Sequence, residues 1–548
     1  MLRVRWLGRV AYREALALQT ALFRHGREAH LLLLEHPHVF THGRRADLSA
    51  NLRCEPAAVG AELVAVDRGG DITYHGPGQL VGYPILSVDN ALGAAAHVAD
   101  IEQVLIDSLA DLGIAAGRLP EYPGVWVDAE GPEPRKIAAI GVRLRHGRTM
   151  HGFALNVDPD MDYLRRHIVP CGISDRPVTS LREELAPAGR NVSLADVADV
   201  VARHAARRWS SGEVERQDVA WKHRPDDLSA FSHGMGPGEP VRLTARLASA
   251  GVTSGLAIES RKPEWLRPKV HHGPAVLTLK RLIRSLDLVT VCEDAGCPNL
   301  SECWSDGTAT FMALGERCTR ACGFCLVDTR KPEAPASDEP ERIASAVVAM
   351  SLDHVVVTMV ARDDLADGGM AHMAAVVRAI RSARPAARVE TLISDAKGDD
   401  ASLQLLFQAE PDVMNHNIET VARLQRAVRP SAGYARSLSV LARAKLAGLT
   451  TKSGLIVGMG ERDDEVAGCL ADLAGAGVDI VTIGQYLRPT SHHLSVARWV
   501  EPAVFDEWKR IGESLGIGHV EASPLTRSSY HAKRAAEHVT PVALTAAH

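Results

Sequence analysis

The first 212 residues alternate between runs that fit strands and stretches that fit helices. In "HLLLLEHPHVF" (residues 30–40) and "QLVGYPILSV" (79–88) apolar residues are nearly continuous, as in buried strands. Apolar residues recur with helical spacing over residues 91–113 and 193–209. From about residue 213 this periodicity is lost, and Gly, Pro and charged residues accumulate. The pattern predicts a first domain over 1–212, a linker over 213–245 and a second domain over 246–548.

The second half repeats a short apolar strand followed by a helix. Helical stretches such as "MAHMAAVVRAIRSA" separate the strand candidates, which are residues 308–315, 353–360, 388–394, 412–417, 451–458 and 479–487. This alternation predicts a parallel sheet, either open or curled into a partial (β/α)6 barrel. Polar clusters such as "CTRACGFC" and "ARDDLADGG" follow the strands directly. Because barrel active sites form at the carboxyl ends of the strands, these clusters are expected to lie on a catalytic face.

Composition narrows the class of protein without identifying it. The chain has 548 residues, 46% hydrophobic and 24% charged, and a net charge of -5, which gives no electrostatic reason to expect a nucleic-acid or anionic-membrane partner. No apolar run approaches the ~18 residues that span a bilayer. The N-terminal residues carry scattered charges and no apolar signal segment, so we expect a cytoplasmic protein. Thiols stay reduced there, which makes metal ligation a better explanation of clustered cysteines than disulfides.

Six of the nine cysteines lie within residues 292–325. Cys318, Cys322 and Cys325 have the spacing C-x3-C-x2-C, which puts three thiolates on one loop. Structural zinc sites have four ligands, usually in C-x2-C pairs, whereas three cysteines leave one iron of a [4Fe–4S] cluster open. The motif, with Phe324 before its last cysteine, resembles that of the radical S-adenosylmethionine (SAM) enzymes. The resemblance implies that SAM binds the open iron and is cleaved to a 5′-deoxyadenosyl radical, and that Phe324 lies at the cofactor.

Cys292, Cys297 and Cys303 form a second triad, C-x4-C-x5-C. Alone, this spacing leaves zinc, a cluster or unrelated cysteines open. Before the other triad it resembles lipoyl synthase, over nearly all of residues 255–535. Further motifs carry the resemblance: "VVVTMVARDDLADGG", "VETLISD", "PDVMNHNIETVARL", "TKSGLIVGMGE", "TIGQYLRPT" and "RSSYHA". It implies an auxiliary [4Fe–4S] cluster that supplies sulfur, whose fourth ligand is a serine of "RSSY": Ser529, or else Ser528. A hard alkoxide ligand on iron is labile, which suits a cluster that is consumed.

Three positions depart from the lipoyl synthase pattern. Ala361 stands where an asparagine usually precedes Arg362, Ser394 replaces a proline, and Lys397 replaces the usual residue of the next loop. These changes affect cofactor or substrate contacts and leave all six cysteines and the serine in place.

The first half carries four motifs, "RGGDITYHGPGQLVGYPI", "RKIAAIGVR", "HGFALNV" and "PCGI". "GPG" lacks the spacing of a dinucleotide loop and contains a proline. In this order the motifs resemble lipoyl(octanoyl) transferase over residues 1–212. The resemblance implies a biotin/lipoate protein ligase-like fold, a mixed sheet with helices, with Cys171 carrying an octanoyl thioester and Lys136 beside it. It also implies substrate contacts at Arg68, Gly69, Gly70, Asp71, Ile72, Thr73, Tyr74, His75, Ala139, Ile140, Gly141, Gly152, Phe153 and Ala154.

Chemistry is consistent with these roles. An ammonium beside a cysteine favours the thiolate, which attacks octanoyl-acyl carrier protein before a lipoyl-domain lysine resolves the thioester. Lys136 is a candidate proton carrier in the second step. An ATP-dependent lipoate ligase would not need Cys171 and would need a phosphate-binding loop, which the sequence does not show. A metal site at His36, His38 and His42 is disfavoured, because strand ends often carry unpaired histidines.

The two resemblances together predict a fusion of consecutive lipoate-biosynthesis enzymes. The first half transfers octanoyl to a protein lysine, and the second inserts sulfur at C6 and C8 of the attached chain. The implied cofactors are two [4Fe–4S] clusters and SAM. The implied partners are octanoyl-acyl carrier protein, lipoyl domains of 2-oxoacid dehydrogenase E2 subunits, the glycine cleavage H protein, and a ferredoxin- or flavodoxin-type electron donor. A non-catalytic redox sensor fused to an acyl-binding module is the alternative from another class. The complete ligand sets and the absence of basic DNA-reading elements argue against it.

Overall fold

The computed structural model describes residues 1–44, 46–89, 93–220, 244–253, 255–256, 260–267, 281, 283, 285–286, 288–290, 299 and 308–539. The chain divides into two compact units, Met1–Trp221 and Lys222–His548. The division falls inside the segment predicted to be a linker.

The N-terminal unit contains two sheets. Its strands are β1 (Leu2–Arg9), β2 (Ala29–Glu35), β3 (Val39–His42), β4 (Glu62–Ala65), β5 (Thr73–His75), β6 (Gln79–Ile85), β7 (Ala116–Leu119), β8 (Tyr122–Val127), β9 (Arg135–Arg145), β10 (Arg148–Asn156) and β11 (Val214–Asp218). Its α-helices are Tyr12–His25, Leu48–Asn51, Gly93–Asp111, Asp162–Arg165, Leu181–Leu185 and Leu194–Ser210. Short 3₁₀ turns lie at Pro56–Val59, Pro170–Gly172 and Ala186–Ala188.

The larger sheet has eight strands in the order β11-β1-β2-β6-β10-β9-β8-β7, and the smaller has the order β4-β3-β5. In the larger sheet β1 pairs in parallel with β2 and β11, and the other neighbours are antiparallel. Leu31 and Leu33 pack in the core with residues of helices Gly93–Asp111 and Leu194–Ser210, while Leu32 and Leu34 are buried on the opposite face. The predicted mixed sheet with helices is confirmed.

Strand β11 lies in the segment predicted to be a linker. Its sequence, VERQD, shows no run of apolar residues, and it pairs in parallel with β1 from Leu2–Val214 to Trp6–Asp218. Edge strands rich in charge are common, because charged side chains discourage pairing with other chains. An edge strand therefore lacks the hydrophobic pattern by which the sequence would reveal it.

The C-terminal unit is built around one sheet. Its strands are β12 (Val289–Thr290), β13 (Thr308–Ala313), β14 (His354–Met359), β15 (Arg388–Leu392), β16 (Val413–Asn415), β17 (Thr451–Val457), β18 (Ile480–Gln485) and β19 (His519–Ala522). Its α-helices are Thr244–Ser249, Glu339–Ala349, Met370–Ala383, Asp400–Phe407, Gln425–Val428, Tyr434–Leu446, Asp463–Gly475, Pro502–Ser514 and Ala532–His538. Further 3₁₀ turns are Glu264–Leu266, Ala396–Gly398 and Ala422–Leu424.

Strands β13 to β19 are all parallel and follow one another across the sheet in chain order, and β12 adds an antiparallel edge. A strand order that never reverses winds in one direction, as in a barrel, whereas doubly wound sheets reverse their order. The predicted partial radical SAM barrel is confirmed. All six strand candidates are present, and β19 is a seventh parallel strand that the sequence pattern missed. Among the described residues, no helix combines the length and apolar character needed to cross a membrane.

Candidate active sites

Cys171 lies at the centre of the 3₁₀ turn Pro170–Gly172, with backbone angles of φ 58° and ψ 20°. A non-glycine residue in this region costs on the order of 1–3 kcal/mol and often marks a functional position. The conformation is held by the Cys171 N–H, which donates to the carbonyl of Ile72 at 2.8 Å. The thiol is partly exposed. A strained backbone thus presents Cys171 against the predicted substrate segment 68–75.

Asp71 fixes that segment beside the cysteine. Its carboxylate accepts hydrogen bonds from Asn51 Nδ2 at 2.9 Å and from the N–H of Ile72 at 2.6 Å. A Cβ placed on Gly172 would lie 3.1 Å from Asp71 Oδ2, so only glycine fits comfortably next to Cys171. The turn that carries Cys171 and the predicted substrate segment therefore pack against each other.

The other predicted substrate contacts meet on two paired strands. Ala139 pairs with Ala154 and Gly141 pairs with Gly152, across β9 and β10. A Cβ on Gly141 would lie 3.0 Å from both Arg68 Cδ and the carbonyl of Gly69, which places this pair beside segment 68–75. The structure therefore brings the three predicted contact segments together.

Lys136 is buried on β9 and is 5% exposed. Its ammonium lies 5.3 Å from the centre of the Trp126 ring, a cation–π distance. Its backbone is tied to the segment after Cys171, because the N–H donates to the carbonyl of Pro177 and the carbonyl accepts from the N–H of Thr179, both at 2.9 Å. The pairing of Lys136 with Cys171 in catalysis stays a prediction.

His36, His38 and His42 each have a protein partner. His36 Nδ1 donates to the carbonyl of Val10 at 2.7 Å, so its Nε2 accepts from the hydroxyl of Tyr83 at 2.7 Å. Burial lowers the pKa of His36 to about 4, which keeps the ring neutral. The Nδ1 of His38 lies 2.8 Å from the hydroxyl of Tyr74, and the Nδ1 of His42 lies 3.3 Å from the carbonyl of Gly43. These contacts give the three rings hydrogen-bonding roles in the fold.

In the C-terminal unit the cysteine loop 318–325 follows β13, where strand ends form barrel active sites. The N–H of Thr319 donates to the carbonyl of Ala361 at 2.9 Å, beyond the end of β14. The N–H of Gly323 donates to the carbonyl of Val428 at 2.8 Å. His493 Nε2 donates to the carbonyl of Cys325 at 2.9 Å, from the segment after β18. The cysteine loop is thus anchored to the segments that follow other barrel strands.

The three thiols of this loop lie near one another and are partly buried. Burial raises the pKa of Cys322 to about 11 and that of Cys325 to about 12, and the neighbouring thiolates act in the same direction. Free thiols here would hold their protons, whereas a coordinated metal removes them. Within the described part of the chain, no three His, Cys, Asp or Glu side chains are spaced to hold a single metal ion. The donor set fits an iron–sulfur cluster, which is wider than one ion and takes soft thiolate ligands.

Arg320 lies inside the cysteine loop and is 7% exposed. Its guanidinium donates to both oxygens of Asp363 at 2.7 and 2.8 Å and to Asp395 Oδ1 at 2.5 Å. Burial alone would raise the pKa of Asp395, and Arg320 outweighs it and holds that pKa far below its usual value. The polar clusters after β14 and β15 thus hold the cysteine loop through a buried ion-pair network. Sequence reasoning found these clusters but missed Arg320 and His493, since nothing local signals their distant partners.

The two serines of "RSSY" have different surroundings. Asn417 Nδ2 donates to Ser528 Oγ at 2.6 Å, whereas no side-chain hydrogen bond joins Ser529 to any other described residue. Cys292, Cys297 and Cys303 lie outside the described residues. Asn299, between the last two of them, donates to the carbonyl of Leu525 at 2.7 Å. This contact ties Asn299 to the chain just before "RSSY".

Glu419 is a further candidate, which the sequence marked only as a member of the polar cluster "NIET" (417–420). It has a φ of 66°, and its N–H donates to the carbonyl of Gly454 at 2.9 Å on β17. Burial raises the pKa of its carboxyl group, although Arg429 acts against the shift. Its charge also bears on Cys322 and Cys325, which places it close to the cysteine loop. Its only sequence signal was its place after β16.

Comparison with known proteins gives the class of each unit. Residues 11–206 match the model of the lipoyl protein ligase A/B catalytic domain, and residues 312–484 match the model of the radical SAM superfamily. The chain is therefore a fusion of a ligase-type catalytic domain with a radical SAM domain.

Full-length relatives of the second half identify its family. The chain is 53% identical over 283 residues to lipoyl synthase of Chlorobium limicola, covering 51% of this chain and 97% of that protein. It is 51% identical over 278 residues to lipoyl synthase of Rubrobacter xylanophilus, covering 50% of this chain and 87% of that protein. Through its C-terminal half the chain belongs to the lipoyl synthase family.

Solved structures also resemble parts of the chain. A putative lipoate protein ligase from T. acidophilum with bound lipoic acid matches with a TM-score of 0.34 and 19% identity, over 40% of this chain and 90% of that chain. Methylornithine synthase matches with a TM-score of 0.31 and 12% identity, over 54% of this chain and 84% of that chain.

Proposed function

We propose that this chain catalyses two consecutive steps of lipoate assembly, octanoyl transfer in the first half and sulfur insertion in the second. One observation carries the first step. Cys171 is held in a strained turn against the substrate segment Arg68–His75, in a chain whose other half is a lipoyl synthase. A free lipoate ligase would have no use for a positioned thiol.

The first step is a double displacement at Cys171. The thiolate attacks the thioester of octanoyl-acyl carrier protein, and the carrier leaves as a thiol. The lysine amine of a lipoyl domain then attacks the octanoyl thioester on Cys171 and releases the cysteine. Lys136 carries a proton in this second displacement, a role that suits a buried amine. The octanoyl chain lies against Gly141, Gly152 and their strand neighbours, where small residues admit it.

In the second step the protein holds two [4Fe–4S] clusters. Cys318, Cys322 and Cys325 hold the first, and Phe324 lies at the SAM bound there. When bound, this cluster supplies the electron that cleaves SAM. Cys292, Cys297 and Cys303 hold the second, which is the sulfur substrate for C6 and C8 of the octanoyl chain. Ser529 is its fourth ligand, a choice supported by the engagement of Ser528 with Asn417.

The proposed partners follow from these reactions. Octanoyl-acyl carrier protein delivers the acyl group, and lipoyl domains of 2-oxoacid dehydrogenase E2 subunits and the glycine cleavage H protein accept it. A ferredoxin- or flavodoxin-type protein supplies electrons. We predict a cytoplasmic location from the reduced thiols that this chemistry requires.

The test is reconstitution with both substrates. Purified protein, rebuilt anaerobically with iron and sulfide, is given octanoyl-acyl carrier protein, an unmodified lipoyl domain, SAM and a strong reductant. Mass spectrometry should show the domain gaining an octanoyl group and then two sulfur atoms. Iron analysis should give about eight irons per chain, as expected for two cubane clusters. Octanoyl transfer only from free octanoate with ATP would overturn the first half of the proposal. Stoichiometric zinc without charge-transfer absorbance would overturn the second.

A further inference from the structure

Arg68 is a buried arginine to which no described residue supplies a carboxylate. It is 9% exposed, and its hydrogen bonds within the described part of the chain all go to neutral oxygens. Nη2 donates to the carbonyl and hydroxyl of Thr41 at 2.8 and 2.9 Å, and Nη1 donates to the carbonyl of Gly69 at 3.0 Å. A buried cation without a paired anion is costly, so folding stability alone does not explain this arrangement.

Both acidic residues next to Arg68 in the chain are engaged elsewhere. Asp67 accepts from His151 Nε2 at 3.0 Å and pairs with Arg143. Asp71 accepts from Asn51 and from the N–H of Ile72. Both carboxylates therefore bond to other groups, and Asp71 acts on the charge of Arg68 only through space, without a hydrogen bond or ion pair.

A directional chain of hydrogen bonds supports the residues around Arg68. It starts at the carbonyl of Thr179. A carbonyl can only accept a hydrogen bond, so Asn156 Nδ2 is the donor, at 3.0 Å. Asn156 Oδ1 therefore accepts from Gln79 Nε2 at 2.9 Å, and Gln79 Oε1 accepts from His75 Nδ1 at 2.9 Å. The chain fixes the tautomer of His75, with the proton on Nδ1 and a lone pair on Nε2.

The last link of the chain reaches Arg68 through Thr41. The lone pair on His75 Nε2 faces Thr41 Oγ1 at 3.4 Å, so the threonine hydroxyl points its hydrogen at His75. Thr41 Oγ1 then offers only lone pairs to Arg68 Nη2. Burial also lowers the pKa of His75 well below its ordinary value, so the ring stays neutral beside the cation. The guanidinium is positioned through neutral groups that do not cancel its charge.

Two N–H groups of the guanidinium remain for a ligand, the Nε–H and one on Nη1, since the hydrogen bonds to Thr41 and Gly69 use the other three. Glycines surround this side. A Cβ on Gly70 would lie 3.3 Å from Nη1, and a Cβ on Gly141 would lie 3.0 Å from Cδ. Arg68 also lies within electrostatic range of Cys171, whose N–H donates to the carbonyl of Ile72, four residues after Arg68 in the chain. A free donor pair therefore lies close to the proposed nucleophile, in space that glycines keep open.

We propose that Arg68 is a catalytic residue that stabilises the negative charge on the carbonyl oxygen of the acyl thioester during both displacements at Cys171. The inference rests on the proposed octanoyl transfer. In the first displacement a bond forms between Cys171 sulfur and the carbonyl carbon, and the carbonyl π electrons move to the oxygen. The guanidinium of Arg68 donates hydrogen bonds to that oxygen. The carbonyl double bond forms again as the bond from its carbon to the carrier's sulfur breaks, and that sulfur takes the proton that Cys171 lost. In the second, the lysine nitrogen attacks and Cys171 leaves, and the proton lost by nitrogen restores the thiol.

Because Arg68 is buried, its ligand is the acyl carbonyl oxygen and not the phosphate of the carrier's arm. The carrier's arm has a phosphate at the end opposite its thioester, so the phosphate stays near the carrier when the thioester reaches Cys171. A charge that develops only in the transition state is also the kind of charge that a positioned buried donor stabilises most.

The decisive experiment measures how fast Cys171 is acylated in a single turnover. Wild-type protein, R68Q and the control R118Q are mixed with octanoyl-acyl carrier protein, and the octanoyl adduct is followed by intact mass. Arg118 is the control because its side chain is 43% exposed and pairs with Glu102 on helix Gly93–Asp111. R68Q should be slower by about 10²–10³-fold, the usual effect of removing an oxyanion donor. R118Q should stay within about threefold of wild type, as expected for a partly exposed ion pair.

Two further measurements separate catalysis from structure. The double variant C171S/R68Q should bind octanoyl-acyl carrier protein with an affinity within about threefold of that of C171S, because the negative charge on the carbonyl oxygen forms only in the transition state. Losing the three hydrogen bonds to Thr41 and Gly69 lowers the Tm of R68Q, and removing a buried unpaired cation raises it, so a small net change in Tm is expected. A purely structural arginine predicts instead a large fall in Tm with an unchanged acylation rate.

The outcomes are distinct. If R68Q acylates within about threefold of wild type, or if its whole defect is weaker binding, the role of Arg68 is wrong and octanoyl transfer stands. If R68Q does not fold, R68K decides: it keeps the charge without the planar fork, and a wild-type rate would overturn the proposal. If wild-type protein never forms the octanoyl adduct, the proposed function fails and this inference fails with it.

Discussion

Replacing Lys452 with methionine should strongly destabilise the C-terminal unit. Lys452 Nζ lies 2.9 and 3.2 Å from the two oxygens of Glu390, and the side chains are 0% and 1% exposed. Asn415 Nδ2 donates to the same carboxylate at 3.0 Å. The three residues lie on β17, β15 and β16 and form one buried network. Methionine has a similar length and removes only the charge and its hydrogen bonds, so Glu390 would lose its counterion.

The magnitude follows from the pKa of Glu390. Burial alone would raise it, but the Lys452 ammonium, assisted by His354, lowers it from 4.5 to about 2. At about 1.4 kcal/mol for each tenfold change, this corresponds to about 3 kcal/mol of stability. Because the folded pKa lies below the unfolded one, the contribution is fully present above about pH 4.5 and is lost as pH falls through 2. Removing one partner of a buried pair typically costs about 3–5 kcal/mol, which agrees.

Hydrogen exchange followed by mass spectrometry measures this locally in the full chain. Peptides from β15, β16 and β17 should lose about 3 kcal/mol of protection in K452M at pH 7. The difference from wild type should shrink at lower pH. In folded K452M the buried Glu390 takes up a proton and no longer carries a charge without a partner, while in wild type the unfolded state takes up the proton and the advantage of the ion pair falls. The double variant K452M/E390Q should recover part of the loss, because no charge remains buried without a partner.

K509M is the matched control. Lys509 lies 3.9 Å from Glu513, and both side chains are more than 40% exposed, at 42% and 44%. Its substitution should change protection by less than about 0.5 kcal/mol. If K452M stays within about 1 kcal/mol of wild type at pH 7, or if its deficit is the same at pH 7 and at pH 3, the pair does not carry the stability assigned to it.

Three further predictions concern the proposed reactions. C322A should stop SAM cleavage, whereas C297A should keep abortive SAM cleavage and lose sulfur insertion. If product analysis shows the same loss in both variants, each with its other cluster intact, the two triads do not have these separate roles. C171S should lose octanoyl transfer, since an alkoxide is far harder to form than a thiolate, yet it should still add two sulfur atoms to a pre-octanoylated lipoyl domain. Mass measurement showing no such gain, with both clusters confirmed, would mean that the two halves are not independent. S529A should lose the spectrum of the auxiliary cluster and S528A should retain it, and the reverse pattern in Mössbauer spectra would reassign the ligand.

The two halves differ in how much of the fold their sequences reveal. In the C-terminal half each buried parallel strand is a short apolar run, so all six candidates, from residues 308–315 to 479–487, are present. In the N-terminal half β11 escaped detection, because VERQD lies at a sheet edge where only the backbone is paired. β19, with sequence HVEA, is too short and too polar to stand out. A hydrophobic pattern indicates burial. Both of these strands lie at sheet edges, where side chains are less buried, so the pattern is weak.

The candidate sites show the same division. The six clustered cysteines, Cys171 and the polar segments after the strands were visible as local spacings and motifs. The partners of Arg320 and Ser528, and the contact of Arg68 with Thr41, were not visible, because each joins separate parts of the chain; Asn417 and Ser528 are 111 residues apart. Motif resemblance names residues but does not say which of two adjacent serines is already hydrogen-bonded.

The sequence by itself determined what depends on neighbouring residues: the alternation of strands and helices, the thiolate spacings and the composition. These features are local, because the side-chain periodicity and the reach of a short loop are set within a few residues. Only the tertiary structure decided which charges are paired. Arg320 pairs with two carboxylates, whereas among the described residues none forms an ion pair with Arg68. That difference arises from where distant segments cross, since burial makes an ion pair strong and an unpaired charge costly, and burial belongs to the whole fold.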